Sequence, residues 1–413
     1  MTYLNLFEAA VLTGWICVVV YSFVLSLIGR IRGRNRAPLI FPRHVFALVI
    51  PVGNDENFIS RTLDHLRRTK YPRNQFDIIV APVNSTDETA TIARRKEAIV
   101  YGPKKDQRRD TDEAILDVLE RLSSKDRYDA YILLDVRSRI STNYLRVMSD
   151  KLSKGALAVQ SGYAVSGRKW TWNTACRAML STLNPGWLTS WSLKYRLASG
   201  IHRTGLCISR RLVEKHGVRK PALDNVNAFL TKLLRRDVVI QYAENAWVYD
   251  RSTTIPRISA KSIPITSRWN RARNDGLPLI SEGLKWRSTA QVIGGVNLFM
   301  PTFGTMLATS LAFYVLAVYL HGVASLIAIG WLALITSLGL FVIFRLWLMR
   351  APLLAYAAVP SLPLLLFWQS AKSFWAPTPT SEPIIAKTAP KNEQSKSGRP
   401  RRRYSRRPKR QSS

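Results

Sequence analysis

Hydrophobic residues fall into three kinds of run along this chain. Ala9 to Gly29 is apolar and uncharged for 21 positions, enough for a helix to cross a hydrocarbon layer of about 30 Å. From Ala37 to about Gly283 short apolar runs alternate with amphipathic stretches, the pattern of an α/β domain rather than a helical bundle. Beyond Ser288 long apolar runs return. Met300 to Leu320 and Val323 to Phe344 are two candidate spans separated by His321-Gly322 and closed by Arg345 and Arg350. Pro352 to Ala371 is also apolar but carries Pro352, Pro360 and Pro363, which leaves a third span and a kinked interfacial piece both open. The expected organisation is an anchor with a basic flank at 1–36, an α/β domain at 37–287, an interfacial segment with two or three spans at 288–376, and a tail at 377–413.

Within the α/β region, Val45 to Val52 (VFALVIPV) predicts a buried strand. Asp55 to Thr69 predicts a helix with Ile59, Leu63 and Leu66 on one face. Phe76 to Ala81 predicts a second strand, and Ser85 with Glu88 three residues on predicts a capping box opening a second helix. Ile115, Val118, Leu119 and Leu122 mark a helix over Thr111 to Leu122. Tyr131 to Asp135 follows as a strand that ends on an aspartate. Later come Ala156 to Tyr163, a helix near Asn225 to Arg235, and a strand pair, VVIQY and AWVYD. The order is that of a nucleotide-binding half, whose ligands gather at the carboxyl ends of its strands.

Charge narrows the picture. The chain of 413 residues has 61 Lys or Arg against 27 Asp or Glu, a formal net charge of +34. The segment Pro377 to Ser413 holds 11 of those cations against Glu382 and Glu393, so it supplies 11 − 2 = +9. Such a surface suits anionic lipid head groups, nucleotide phosphates or acidic polymers, and makes anionic membrane lipids an expected partner. An anchored chain makes nucleic acid the weaker partner. Arg30, Arg32, Arg34 and Arg36 follow the first apolar run, and no basic region precedes it. That predicts a retained anchor and puts the main domain on the cytosolic side of a plasma or inner membrane. Cys17, Cys176 and Cys207 have no metal-ligand spacing and imply neither zinc nor a disulfide framework.

Several stretches in this order resemble one family. VIPVGNDEN, NSTDETATIA, YDAYILLD, GALAVQSGY, TGLCISRRLVEKHG, AENAWVYD and Arg268-Trp269 are similar to the membrane-embedded family-2 glycosyltransferases of GT-A type, the group of cellulose, chitin and hyaluronan synthases. The resemblance covers roughly Val45 to Ala272. It implies a mixed sheet flanked by transmembrane helices, and a cytosolic domain that moves a sugar from a nucleoside-diphosphate donor to an acceptor hydroxyl. It also implies Mg²⁺ or Mn²⁺ to neutralise the departing diphosphate and a general base for the acceptor. The donor-binding positions it implies are Pro51, Asn54, Asp135, Arg137, Arg268 and Trp269.

The resemblance weakens at the positions that do chemistry. The aspartate expected to meet the nucleotide base falls on Val83. A Lys-Gly pair falls on Thr111-Asp112, whose carboxylate has the wrong sign for a diphosphate. The paired carboxylates of the metal site fall on Asp135-Val136-Arg137, leaving one. The Thr-Glu-Asp triplet that supplies the base falls on Asp224-Asn225-Val226, so Asp224 is a helix cap first and only a fallback base. In the last motif Arg268 and Trp269 remain, while Ile265 replaces glutamine. Five such losses, against a retained structural pattern, predict a pseudo-glycosyltransferase acting as a scaffold or accessory subunit in polysaccharide synthesis or export. Its expected partner is an active glycosyltransferase or synthase subunit, with no metal and no cofactor. The alternative is an active, metal-independent transferase in which the Arg137 guanidinium pairs with the donor diphosphate. An ion pair of Arg137 with Asp135 or another nearby acid is the structural alternative for that side chain.

Overall fold

The computed structural model of the chain describes residues 2–31, 42–102, 111–166, 171–183, 203–216, 233–236, 238, 240–251, 272–300, 303–348 and 351–366. Helix α1 (Thr2–Ile31) leads to strand β1 (Phe46–Val52). There follow α2 (Glu56–Arg67), β2 (Phe76–Pro82), α3 (Thr89–Arg95), β3 (Ile99–Val100), α4 (Thr111–Ser123), β4 (Ala130–Leu133) and β5 (Ser138–Ile140). After them come α5 (Tyr144–Ser153), β6 (Ala158–Val165), α6 (Trp172–Leu183), β7 (Leu206–Ser209), α7 (Arg210–His216) and β8 (Ile240–Asp250). Helices α8 (Leu277–Lys285), α9 (Thr289–Phe299), α10 (Phe303–His321), α11 (Leu326–Leu348) and α12 (Leu353–Ala357) close the described chain.

The strands form one eight-stranded mixed sheet in the order β3-β2-β1-β4-β7-β6-β8-β5. β3, β2, β1 and β4 are parallel, β7 runs antiparallel to β4 and β6, and β5 runs antiparallel to β8 at the edge. Period-two alternation builds a core on each face. In β1, Ala47 and Val49 join Ile115, Leu119 and Leu122 of α4, while Phe46, Leu48 and Ile50 join Ile59, Leu63 and Leu66 of α2. α8 and α9 cover the first face through Leu279 and Ala290. They approach closely because both carry glycine at the contact: a Cβ on Gly295 would lie 2.6 Å from Ile280 Cγ1 and 2.8 Å from the Gly276 carbonyl oxygen.

Three of the predicted elements are corrected. The capping box does not form, and α3 begins at Thr89, with no side-chain cap from Glu88. Asp87 does that work instead, its Oδ1 accepting from the Thr89 amide at 3.0 Å and from the Ser85 hydroxyl at 2.8 Å. The predicted strand pair VVIQY and AWVYD is one strand, β8, from Ile240 on. Its register against β6 slips between Ser161 and Gly162, so Glu244, Asn245 and Ala246 are accommodated in a bulge and no turn is needed. Helix α2 starts at Glu56 and ends at Arg67, one residue inside its expected start and two inside its expected end.

Among the described residues three helices are long and apolar enough to cross a membrane: Leu6–Val24 within α1, Phe303–His321, and Leu326–Trp347 within α11. α1 and α11 run parallel, since Leu12 lies against Gly330 and Phe23 stacks edge-on with Phe341. α10 runs the other way and brings His321 to within 4.0 Å of the buried Glu8 carboxylate. In the proline-containing segment that follows, the described part breaks at Val359–Ser361, and α12 has only five residues. α6 joins the domain to these helices. Ala175, Cys176 and Met179 pack in the same cluster as Trp331, Leu334 and Ala355.

Candidate functional site

The carboxyl ends of β1, β2 and β4 converge on one edge of the sheet. β1 delivers Pro51 and the loop Gly53-Asn54-Asp55, β2 delivers Val83 to Asp87, and β4 delivers Asp135 to Arg137. Polar side chains stitch the first two loops together. Asn54 donates to the Thr86 hydroxyl at 3.1 Å and accepts from the Thr86 amide at 2.9 Å. Asp87 Oδ2 accepts from the Glu56 amide at the start of α2, 3.2 Å away. Desolvation is the largest single influence and pushes the Asp87 pKa up, but the bonds from Thr89, Ser85 and Glu56 together outweigh it and hold the pKa down to about 2. Asn84 takes a left-handed conformation, φ 49°, which asparagine tolerates better than most residues.

Of the donor positions implied by the resemblance, Pro51, Asn54, Asp135 and Arg137 sit on this edge. Arg268, Trp269 and the fallback base Asp224 lie outside the described residues, as do the basic tail and the Asp112 side chain. Val83, in the place of a base-binding aspartate, is half-buried and packs against the core next to the sheet. The β4 loop is built around Asp135, whose Oδ1 accepts from the Arg137 backbone amide at 2.9 Å. Asp135 is exposed at the cleft edge, yet protein atoms crowd around its carboxyl group. That desolvation raises its pKa, with Asp250 and Asp55 adding to the rise while the Arg137 amide and Arg203 oppose it.

Arg137 does not turn back to Asp135. Its Nη2 reaches Asp55 Oδ1 at 3.4 Å, and its guanidinium carbon stands 4.5 Å from the centre of the Phe58 ring, a cation–π geometry. The pair spans the cleft from the β4 loop to the start of α2. Asp55 also accepts from the Gly53 amide at 3.1 Å, so the acidic side of the pair is itself held in place.

The third acid on this edge is Asp250 at the end of β8, and it is fully committed. Tyr163 donates to it at 2.5 Å, and Arg177 of α6 donates through Nε at 3.1 Å and through Nη2. Burial works against the Arg177 charge, but the bond to Asp250 prevails and raises its pKa. Sequence reasoning missed Asp55, Asp250 and Arg177 as members of the site. Asp55 was visible in VIPVGNDEN, whereas α6 has no signal strong enough to predict Arg177 at all.

A divalent cation of the Mg²⁺ or Mn²⁺ type needs several oxygen ligands converging on one point. Asp135 is a lone carboxylate with a guanidinium two residues on, Asp55 is turned toward that guanidinium, and Asp250 is enclosed by Tyr163 and Arg177. Among the described residues no group of three or more His, Cys, Asp or Glu side chains is placed to hold a metal ion. These residues do not fit a bridging metal.

No family model matches the chain, and no curated protein matches it. Solved structures do. A mannosyltransferase from Pyrobaculum calidifontis, solved with GDP-Man and Mn²⁺, aligns with a TM-score of 0.51 at 16% identity, covering 90% of this chain and 97% of that one. TarS from S. aureus, residues 1–349, aligns at 0.41 and 15% identity over 80% of this chain and 88% of its own. Glucosyl-3-phosphoglycerate synthase from Mycobacterium tuberculosis aligns at 0.34 and 19% identity over 55% and 78%. The likeness to the mannosyltransferase, together with the mixed sheet and the three apolar helices, assigns a GT-A glycosyltransferase fold flanked by helices able to span a membrane.

Proposed function

We propose that this protein is a pseudo-glycosyltransferase of family-2 type, an integral protein of a plasma or inner membrane with its GT-A domain in the cytosol. It acts as a scaffold or accessory subunit, with an active glycosyltransferase or synthase as partner, in making or exporting a polysaccharide. One observation carries the reading. At the position where a second metal-binding carboxylate is expected, Arg137 bridges to Asp55 and stacks on Phe58, so the cleft is closed by a protein cation. Val83, half-buried against the core where a base-binding acid is expected, supports it. Arginines after α1 and the basic tail support the cytosolic orientation. The parallel course of α1 and α11 leaves the Glu8 and His321 end opposite the domain.

A second reading is favoured by the same side chain. An Arg137 released from Asp55 would present a bidentate donor to diphosphate oxygens next to Asp135, which is the arrangement of a metal-independent transferase. The two are separated by titrating the purified full-length protein with a panel of uridine and guanosine diphosphate sugars, with and without Mg²⁺ or Mn²⁺. The scaffold reading expects neither binding nor nucleotide release under any condition. Metal-independent release that disappears in Arg137→Ala overturns it.

A further inference from the structure

Among the described residues one group of cations forms no ion pair. Arg139 stands on the edge strand β5 directly opposite Tyr249 of β8. Arg251 continues β8, its amide donating to the Arg137 carbonyl at 3.2 Å. The carboxyl-terminal half of α2 is laced to the same ribbon. Thr62 donates to the Val136 carbonyl at 2.5 Å, and His65 Nε2 lies 3.0 Å from the Ile140 carbonyl, to which it donates. Arg68 follows His65 by three residues and caps the carboxyl end of α2. His65, Arg139 and Arg251 are half-buried, and Arg68 is exposed.

Elsewhere in the domain half-buried arginines have carboxylates: Arg67 with Glu97, Arg121 with Asp117, Arg137 with Asp55, Arg177 with Asp250. Among the described residues Arg68, Arg139 and Arg251 form no ion pair. Their mutual repulsion is felt within the group. Burial first, then Arg251 and Arg68, lower the Arg139 pKa. Burial likewise lowers that of His65, and Arg139, Arg251 and Arg68 lower it further, against the opposing bond to Ile140. The nearest acid on α2, Asp64, is spent on Lys96 at 2.8 Å. Two like charges held partly out of water, with a third exposed beside them, are stabilised when an anion joins them.

We propose that Arg68, Arg139, Arg251 and His65 form a binding site for a phosphate group, distinct from the donor cleft and independent of whether that cleft binds a nucleotide sugar. Guanidinium forks match phosphate oxygens in geometry and charge. One end of the site adjoins α6, the element that joins the domain to the apolar helices. Arg251 follows Asp250, which is gripped by Arg177 of α6, and α6 packs against α11 and α12. A phosphate carried on a membrane lipid and one on a soluble ligand share this chemistry, and the test separates them.

Full-length protein with ¹³C-labelled histidine is placed in phosphatidylcholine nanodiscs and titrated with inorganic pyrophosphate, and a second sample is placed in phosphatidylglycerol nanodiscs. The chain has five histidines, and the His65→Gln spectrum assigns the signal of interest. An anion beside His65 raises its titration midpoint. Saturable movement with pyrophosphate identifies a soluble phosphate, and movement only in phosphatidylglycerol identifies a lipid phosphate. Either result must weaken about tenfold in Arg139→Gln and in Arg251→Gln, while Arg139→Lys keeps part of the binding and the exposed Arg94→Gln changes nothing. No saturable response in either sample overturns the proposal. So does binding that survives both glutamine variants and is lost in Arg137→Ala, which would move the anion into the donor cleft.

Discussion

Replacing Arg177 with methionine tests how the domain is fastened to its membrane helices. The substitution keeps most of the side-chain volume and removes the charge that faces Asp250, a residue 6% exposed. The carboxylate is left buried with Tyr163 as its neighbouring donor at 2.5 Å. Breaking one partner of a buried pair costs about 3–5 kcal/mol because the remaining charge is uncompensated. The surviving tyrosine bond puts the cost near the lower end, about 3 kcal/mol. For a domain of this size each kcal/mol moves the melting temperature by about 2–4 °C, so Arg177→Met is expected to melt about 6–12 °C lower. Thermal unfolding in detergent, followed by tryptophan fluorescence at one scan rate, reads the shift. In a Cys17→Ser background, maleimide labelling of Cys176, buried between α6 and the membrane helices, is expected to accelerate as α6 loosens. Adding Asp250→Asn removes the stranded charge and should recover at least 1 kcal/mol. The exposed control Arg94→Met should stay within about 0.5 kcal/mol. A loss below about 2 °C in Arg177→Met, or a double variant worse than the single, would refute the account of this pair as an ionic clamp.

Two further outcomes follow from the geometry. Asp87→Asn should cost about 1 kcal/mol at neutral pH, a value discounted for the solvent around the carboxylate. Because the folded-state pKa of Asp87 is depressed from 3.8 to about 2, its contribution is fully present above pH 4 and lost as pH falls toward 2. The gap in melting temperature between the wild type and Asp87→Asn should therefore shrink between pH 6 and pH 3; a constant gap contradicts the bonding pattern. Gly295→Ala should destabilise by about 3 kcal/mol, since its Cβ meets the Gly276 carbonyl oxygen and the Ile280 amide nitrogen, backbone atoms that have nowhere to go. Gly339→Ala, with nothing within 4 Å, is the neutral control in the same melting assay.

What could be read from the sequence follows how local each signal is. β1 and α2 announce themselves, because FALVIPV is continuously apolar and Ile59, Leu63 and Leu66 recur at helical spacing, and both are found nearly as expected. The three-residue β5 and the four-residue β7 are too short to show a period. Their existence depends on partners in β8 and β4 that lie far away in sequence. Capping failed as a prediction because Ser85, Asp87 and Glu88 all compete within four residues, and only the approach of α2, through the Glu56 amide, favours Asp87. The site behaved in the same way. That Asp135 and Arg137 stand at a strand end was legible. That Arg137 finds Asp55, and that Asp250 is consumed by Arg177, depends on tertiary contacts across 82 and 73 residues.

Those contacts bear on whether the cleft retains any donor chemistry. A metal ion arrives with the donor and leaves no residual interaction to break, whereas Arg137 starts from contacts of its own. To meet a diphosphate it must leave Asp55, a part-exposed pair at 3.4 Å worth about 1 kcal/mol, and the face of Phe58, worth about another 1 kcal/mol. A donor must offset roughly 2 kcal/mol before any net binding appears, a weakening of about 30-fold. Releasing Arg137 also leaves Asp55 without its cation on the edge that holds Asp135, and two acidic side chains on one edge repel a phosphate that displaces the guanidinium. The energetics of the closed state thus run against donor entry. Asp55→Asn would test the point directly, because it removes both the competing acceptor and the repulsion. If Asp55→Asn gains measurable affinity for a nucleotide sugar while the wild type has none, the Arg137–Asp55 pair is what keeps the cleft shut. If it gains none, the Arg137–Asp55 pair is not what decides donor binding.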